Sequence, residues 1–180
     1  MSQRINYRSV VPHVDEAMAH LSTALKKSEL GMQLIELVYI RASQINRCAF
    51  CLSVHIPNGR KTGLTAEQID LISVWREAGG IFSLRERAAL AWTESLTLLP
   101  QCRAPDDLYE EVRVHFSEQE TVELTWAIVT INVWNRMAVS MGTPLRRACY
   151  GDHPQHAPVP PQPGVCRLAA DPKPISSPSD

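Results

Sequence analysis

Apolar residues recur at three- and four-residue intervals along most of the chain, the spacing of helices with one buried stripe. No stretch keeps the strict alternation of a half-buried strand. The pattern predicts helices over residues 13–28, 31–45, 48–61, 66–78, 84–98, 105–115 and 118–141. Three of the starts are written in local chemistry. Thr65 with Gln68, Ser83 with Glu86, and Ser117 with Glu120 have the spacing at which a hydroxyl caps the third amide of a helix and the longer side chain reaches back. Gly59 and Gly63, Gly79-Gly80, and the stretch from Pro100 to Pro105 are read as the breaks between helices, where backbone freedom or a fixed φ ends one segment and begins another. The expected fold is all-α, a compact bundle of about six to seven helices.

The 118–141 segment carries Val122, Leu124, Trp126, Ala127, Ile128, Val129, Ile131, Val133 and Trp134, apolar around more of its circumference than a monomer's surface helix needs. It is either the central core helix or a core helix with a second face against another subunit. From Asp152 onward the composition changes: eight of the 13 prolines lie there, with few large apolar side chains among them. Such a stretch buries too little to offset the entropy of ordering it. Residues 1–150 are therefore expected to form the helical domain and 151–180 an extended or disordered tail, with docking along a neighbouring subunit as the alternative.

A chain of 180 residues with a formal net charge of −1 has room for one sizeable core and exerts little pull on a polyanion, so nucleic acid is not an expected partner. Residues 1–8 lack an apolar signal core, and no apolar run approaches the roughly 20 residues that cross a bilayer, so a cytoplasmic protein is expected. Five cysteines without a secretory signal argue for reduced thiols with at most one special pair, for which Cys48 and Cys51 are the candidates.

Cys48-Ala49-Phe50-Cys51 is followed four residues later by His55 and preceded twelve residues earlier by Glu36. On a helix, Cys48, Cys51 and His55 share one face at i, i+3 and i+7. A cysteine at the helix start, after the Asn46-Arg47 break, has its thiolate favoured by unsatisfied amides and the macrodipole. That alone is a small gain. Lowering a thiol from pKa ~8.5 to ~7 raises the thiolate fraction at pH 7 about fifteen-fold, while a Brønsted slope of ~0.45 returns about five-fold, leaving roughly three-fold. Delivering a proton to the departing oxygen of a peroxide is the larger need, typically about 10²- to 10⁴-fold, and His55 assisted by Glu36 fits that task. Glu36 sits in an apolar run, either on a narrow exposed strip or buried with a specific partner.

The same four residues admit a different use, as zinc ligands in a structural or interaction module, although such sites usually draw their second ligand pair from a separate loop. A helical assembly module with no redox role is a third reading. Trp75, Trp92, Trp126 and Trp134 are read as core or interface anchors, any of which near the thiols would wall a pocket. His13, His20 and His115 lack partners at telling spacing. Cys102, in a proline-flanked loop, and Cys149 and Cys166, at or beyond the tail boundary, are read as incidental thiols.

Glu36, then Cys48, Cys51 and His55 at these intervals, with Glu86–Thr97 (ERAALAWTESLT) and a later helix containing Asn135-Arg136, resembles the alkyl hydroperoxidase D group of the carboxymuconolactone decarboxylase-like superfamily. The resemblance spans roughly residues 30–144. It implies that Cys51 attacks the peroxide, that Cys48 resolves the product as a Cys48–Cys51 disulfide, and that Glu36 and His55 relay protons to Cys51. It further implies an all-α fold without haem or flavin and with no other cofactor, trimers or hexamers, and a dithiol reductant such as a lipoyl group or a thioredoxin-like protein. Relatives that decarboxylate lactones lack the paired cysteines, so that reaction is not expected. One position departs: well-studied members have histidine before the second cysteine, where this chain has Phe50.

Overall fold

The computed structural model describes residues 3–145. The expected tail, with Cys149 and Cys166, lies outside the described residues. Among those described there are only helices, turns and connecting segments: α1 (Tyr7–Val10), α2 (Pro12–Leu25), α3 (Met32–Ile45), α4 (Ala49–Lys61), α5 (Ala66–Leu71), α6 (Leu84–Thr97), α7 (Leu99–Cys102), α8 (Asp106–His115) and α9 (Glu118–Met141), with two 3-10 turns between α5 and α6. The all-α expectation holds. No helix among the described residues is long and apolar enough to cross a membrane.

All three predicted capping boxes form. In each, the Thr65, Ser83 or Ser117 hydroxyl accepts from the third amide of the helix, and the Gln68, Glu86 or Glu120 side chain accepts from the cap's own N–H. The segment expected as one helix over 66–78 instead leaves α-geometry after Leu71, passing through a 3-10 turn at Ile72–Val74. The carbonyls freed there find another donor: the Arg87 guanidinium donates to the Trp75, Arg76 and Gly79 oxygens. The Pro100–Pro105 stretch likewise is not all loop. It begins with the short α7, where Pro100 sits in the first turn and so removes no needed intrahelical donor, and Cys102 is the last, exposed residue.

α3 is the most enclosed helix. It packs against α4, α6 and α9, and Leu37, Val38, Ile40 and Ala42 are wholly buried. α9 buries Leu124, Ala127, Ile128 and Ile131 against the bundle, while Val122, Trp126, Val129 and Val133 remain open to solvent, Trp126 by 51 %. It is therefore a core helix with an uncovered apolar face in the single chain. Gly59 corrects an expectation: it is not a break but a buried residue inside α4, close enough to α3 and the following turn that a Cβ would stand 2.8 Å from Leu64 Cδ1 and 3.1 Å from Ile40 Cδ1.

A polar knot secures α3, α6 and the 3-10 segment together. The Glu94 carboxylate on α6 accepts from Arg41 Nη2 at 2.6 Å and Trp75 Nε1 at 2.8 Å, and also pairs with Arg76. Burial works against the charge on Glu94, yet the hydrogen bonds from Arg76, Trp75 and Arg41 overcome it and hold its pKa below the ordinary carboxylate value.

Candidate active site

α3 ends in a Schellman turn whose left-handed residue is Arg47 rather than glycine, with φ of 53°. The Arg47 amide donates to Gln44 O at 3.1 Å and the Cys48 amide to Ser43 O at 2.9 Å, which reverses the chain and starts α4. Asn46 fastens this turn to α9: its Nδ2 lies 2.9 Å from Oδ1 of both Asn132 and Asn135, while Asn135 Nδ2 donates to Ser43 Oγ at 3.0 Å and Asn132 Nδ2 to Thr97 Oγ1 at 3.0 Å. Each amide in this buried cluster thereby has a partner, which is what its burial requires. The later helix bearing Asn135 thus has a definite task at the thiol turn that sequence spacing did not reveal.

Cys48 is the N-cap of α4, and its Sγ accepts from the Cys51 amide at 3.2 Å. Cys48 and Cys51 are joined as a disulfide with Cα atoms 5.3 Å apart, and both are buried, at 1 % and 3 % exposure. The pair has two different surroundings. Cys51 lines a cleft of about 260 Å³ together with Glu36, Tyr39 and His55, whereas Cys48 lines a separate depression with Arg47, Ala138, Gly142 and Leu145. Phe50 lines both.

Within the cleft, His55 Nδ1 lies 2.8 Å from Glu36 Oε2. Glu36 is only 3 % exposed, so of the two alternatives for this residue the buried one with a specific partner is realised. His55 stands one turn beyond Cys51 on α4, and Glu36 reaches it from α3. Tyr39, one turn beyond Glu36, meets the His55 ring edge-on with centroids 4.9 Å apart. Burial, with the nearby Glu36 charge adding to it, pushes the Tyr39 hydroxyl well above the usual phenol range, so it stays protonated. Tyr39 was missed in the sequence, although its i, i+3 spacing from Glu36 on a predicted helix marks it as a neighbour. Trp134 of α9 also walls the cleft, its indole donating to Ser22 Oγ at 3.0 Å.

The other singled-out residues lie elsewhere. His13 and His20 are exposed, His115 is half-buried at the end of α8, and Cys102 lines neither the cleft nor the depression. Trp75 and Trp92 are buried anchors, the latter donating to Thr125 Oγ1 at 3.0 Å. Among the described residues no group of three or more His, Cys, Asp or Glu is arranged to hold a metal ion. Glu36 is engaged with His55, and the two sulfurs are engaged with each other.

For this helical bundle with a C-x-x-C disulfide at the start of a helix, comparison with known proteins gives the AhpD-like class. The sequence model of the carboxymuconolactone decarboxylase family matches residues 12–95. An uncharacterized protein of Bacillus subtilis (strain 168), YdfG, is 39% identical over 142 residues, covering 79% of this chain and 96% of its own. The crystal structure of ATU0492 from Agrobacterium tumefaciens, a protein of unknown function for which the role of antioxidant defence protein AhpD has been suggested, superposes with a TM-score of 0.77 at 40% identity, covering 80% of this chain and 98% of the other. An uncharacterized peroxidase-related protein from Ralstonia eutropha JMP134, with an alkylhydroperoxidase AhpD core, shares the fold with a TM-score of 0.71 at 20% identity, over 80% of this chain and 76% of the other. The chain belongs to the carboxymuconolactone decarboxylase family, among its AhpD-like members.

Proposed function

We propose that the protein is a thiol-dependent peroxidase that reduces organic hydroperoxides. The observation that carries this reading is the buried Glu36–His55 hydrogen bond on the wall of the cleft that also holds Cys51. A carboxylate only accepts, so Nδ1 of His55 donates to Glu36 and Nε2 is the nitrogen left to exchange protons. In the reduced protein, His55 Nε2 takes the Cys51 thiol proton, and Glu36 stabilises the imidazolium that results. The Cys51 thiolate attacks the outer oxygen of ROOH, the O–O bond breaks, and the proton on His55 goes to the departing alkoxide, giving ROH and Cys51 sulfenic acid. Cys48 then attacks Cys51 Sγ, water leaves, and the Cys48–Cys51 disulfide forms. A dithiol reductant, of lipoyl or thioredoxin-like type, returns both thiols and is itself oxidised to a disulfide.

The N-cap position of Cys48 suits its part, because the Cys51 amide and the α4 dipole favour negative charge on that sulfur as it attacks and when it is released. Phe50 in place of histidine leaves the relay to Glu36 and His55 and gives the cleft an apolar wall. The chemistry requires a reducing compartment, consistent with the cytoplasmic expectation. We also assign the uncovered α9 face to assembly of identical chains, since Val122, Trp126, Val129 and Val133 recur at i, i+4, i+7 and i+11 along one stripe. Sedimentation velocity should show an oligomer that Trp126→Glu dissociates; a monomeric wild type would remove this part of the reading.

Purified, metal-free protein should lose two titratable thiols on one equivalent of cumene hydroperoxide and regain them with a dithiol. Cys51→Ser should abolish peroxide consumption, while Cys48→Ser should stop at a sulfenic acid on Cys51 that dimedone traps. Stoichiometric zinc, with thiols unreactive until a chelator is added, would replace this reading with the metal-site alternative. A trapped sulfenic acid on Cys48 would reverse the roles of the two cysteines.

A further inference from the structure

The walls of the Cys51 cleft are more particular than a peroxidase for hydrogen peroxide needs. Met32, Ile35, Phe50, Val54 and Trp134 give it an apolar body, and about 260 Å³ admits a small organic molecule rather than two oxygen atoms. Its charges are unequal. Arg8, on α1, and Lys26, just past the end of α2, both line it, whereas its only carboxylate, Glu36, is already held by His55. Arg8 has a loose partner in Asp15 at 3.5 Å and is half exposed, and Lys26 has no ion-pair partner among the described residues. The end of a helix explains a lysine at position 26, but not why it opens onto an apolar cleft beside a second cation.

A second observation concerns Tyr7, which lines the same wall at 8 % exposure, its hydroxyl buried without a hydrogen-bond partner among the described residues. That hydroxyl is closed to solvent and so to a ligand in the cleft, which leaves the recognition of charge to Lys26 and Arg8.

Building on the peroxidase reading above, we propose that the preferred hydroperoxide is an apolar organic molecule bearing a carboxylate remote from its O–O bond, the carboxylate meeting Lys26 and Arg8 while the apolar body lies between Ile35, Phe50 and Trp134. The charge contacts are partly solvated, so the preference is moderate, about three- to ten-fold over a neutral analogue.

The test compares cumene hydroperoxide carrying a para carboxylate with its methyl ester, at fixed reductant. The acid should have the higher kcat/KM by about three- to ten-fold, the advantage should shrink at high salt, and Lys26→Glu should bring the acid-to-ester ratio to one or below. Equal rates for acid and ester in the wild type, or a ratio unmoved by Lys26→Glu, would overturn the proposal. Titration calorimetry with the two corresponding alcohols, the reaction products, reads the same preference as binding. If no peroxide is consumed, the peroxidase reading fails separately, and the alcohols still decide whether the cleft selects a carboxylate. Dihydrolipoate against dihydrolipoamide at a fixed neutral peroxide tests the other source of a carboxylate on an apolar chain. A charge preference in that pair alone would overturn the assignment to the peroxide.

Discussion

Tyr39 and His55 meet ring to ring, their planes at 74° and their centroids 4.9 Å apart, so the imidazole is located by packing as well as by its bond to Glu36. Orientation and charge can therefore be separated. Glu36→Gln keeps an acceptor for Nδ1 but removes the charge proposed to steady the imidazolium, and kcat with an organic hydroperoxide should fall roughly 10- to 10²-fold with KM little changed. His55→Ala should cost about 10²- to 10⁴-fold. Steady-state peroxide consumption measures both, and an unaltered kcat in His55→Ala would remove the proton relay from the mechanism.

Glu94 predicts how the fold responds to acid. Its folded-state pKa is depressed, so it contributes stability that is present above the unfolded carboxylate pKa and is lost as the pH falls through the folded value. Replacing it with glutamine strands Arg41 in a partly buried site and should destabilise the protein at pH 7 by about 2 to 4 kcal/mol. The gap between wild type and Glu94→Gln should narrow as the pH is lowered through and below the normal carboxylate range, which urea unfolding at a series of pH values will show. A gap that widens on acidification would contradict the assignment.

Arg47 occupies a left-handed backbone position that glycine enters without strain. Arg47→Gly should raise stability by about 0.5 to 1 kcal/mol, the relieved strain exceeding the extra freedom gained by the unfolded chain. A raised thermal midpoint with an unchanged circular dichroism spectrum is the expected result.

Gly59 predicts the opposite sign from helix propensity. Alanine in an exposed helix interior gains about 1 kcal/mol over glycine, but here its methyl would collide with Leu64 and press on Ile40, both buried, so that making room disturbs a packed core. Gly59→Ala should lose about 1 kcal/mol in urea unfolding; a stabilised variant would mean that Leu64 repacks freely.

Which parts of this structure can be read from the chain depends on how local their causes are. The three capping boxes lie within four residues each, and all three helix starts follow from them. Cys51 and His55 are one turn apart on a single helix, so their shared face is written in the spacing. Glu36 is different: whether it is exposed or buried depends on α3 packing against α4, and only that packing supplies its partner. The Asn46–Asn132–Asn135 cluster joins segments more than 80 residues apart and leaves no local trace. Gly59 misleads in part for the same reason, since a side chain there meets Ile40 of another helix as well as Leu64 of the turn that follows. The break in the segment expected over 66–78 was hidden because the side chain that holds its Trp75 and Arg76 carbonyls is Arg87, on α6.

Cys48 is at once the residue that closes the Schellman turn of α3 and the cap of α4. A sulfur assigned to electron traffic is thus also a joint between two helices, and the position is constrained twice over. Serine there would silence the redox pair while keeping an acceptor for the Cys51 amide, whereas alanine would silence it and also loosen the joint by about 1 kcal/mol. A descendant that abandoned the chemistry would still be held at position 48 to the short menu of capping residues, serine, threonine, aspartate and asparagine. The loss of the redox pair would then appear in its sequence as a polar residue rather than as random drift.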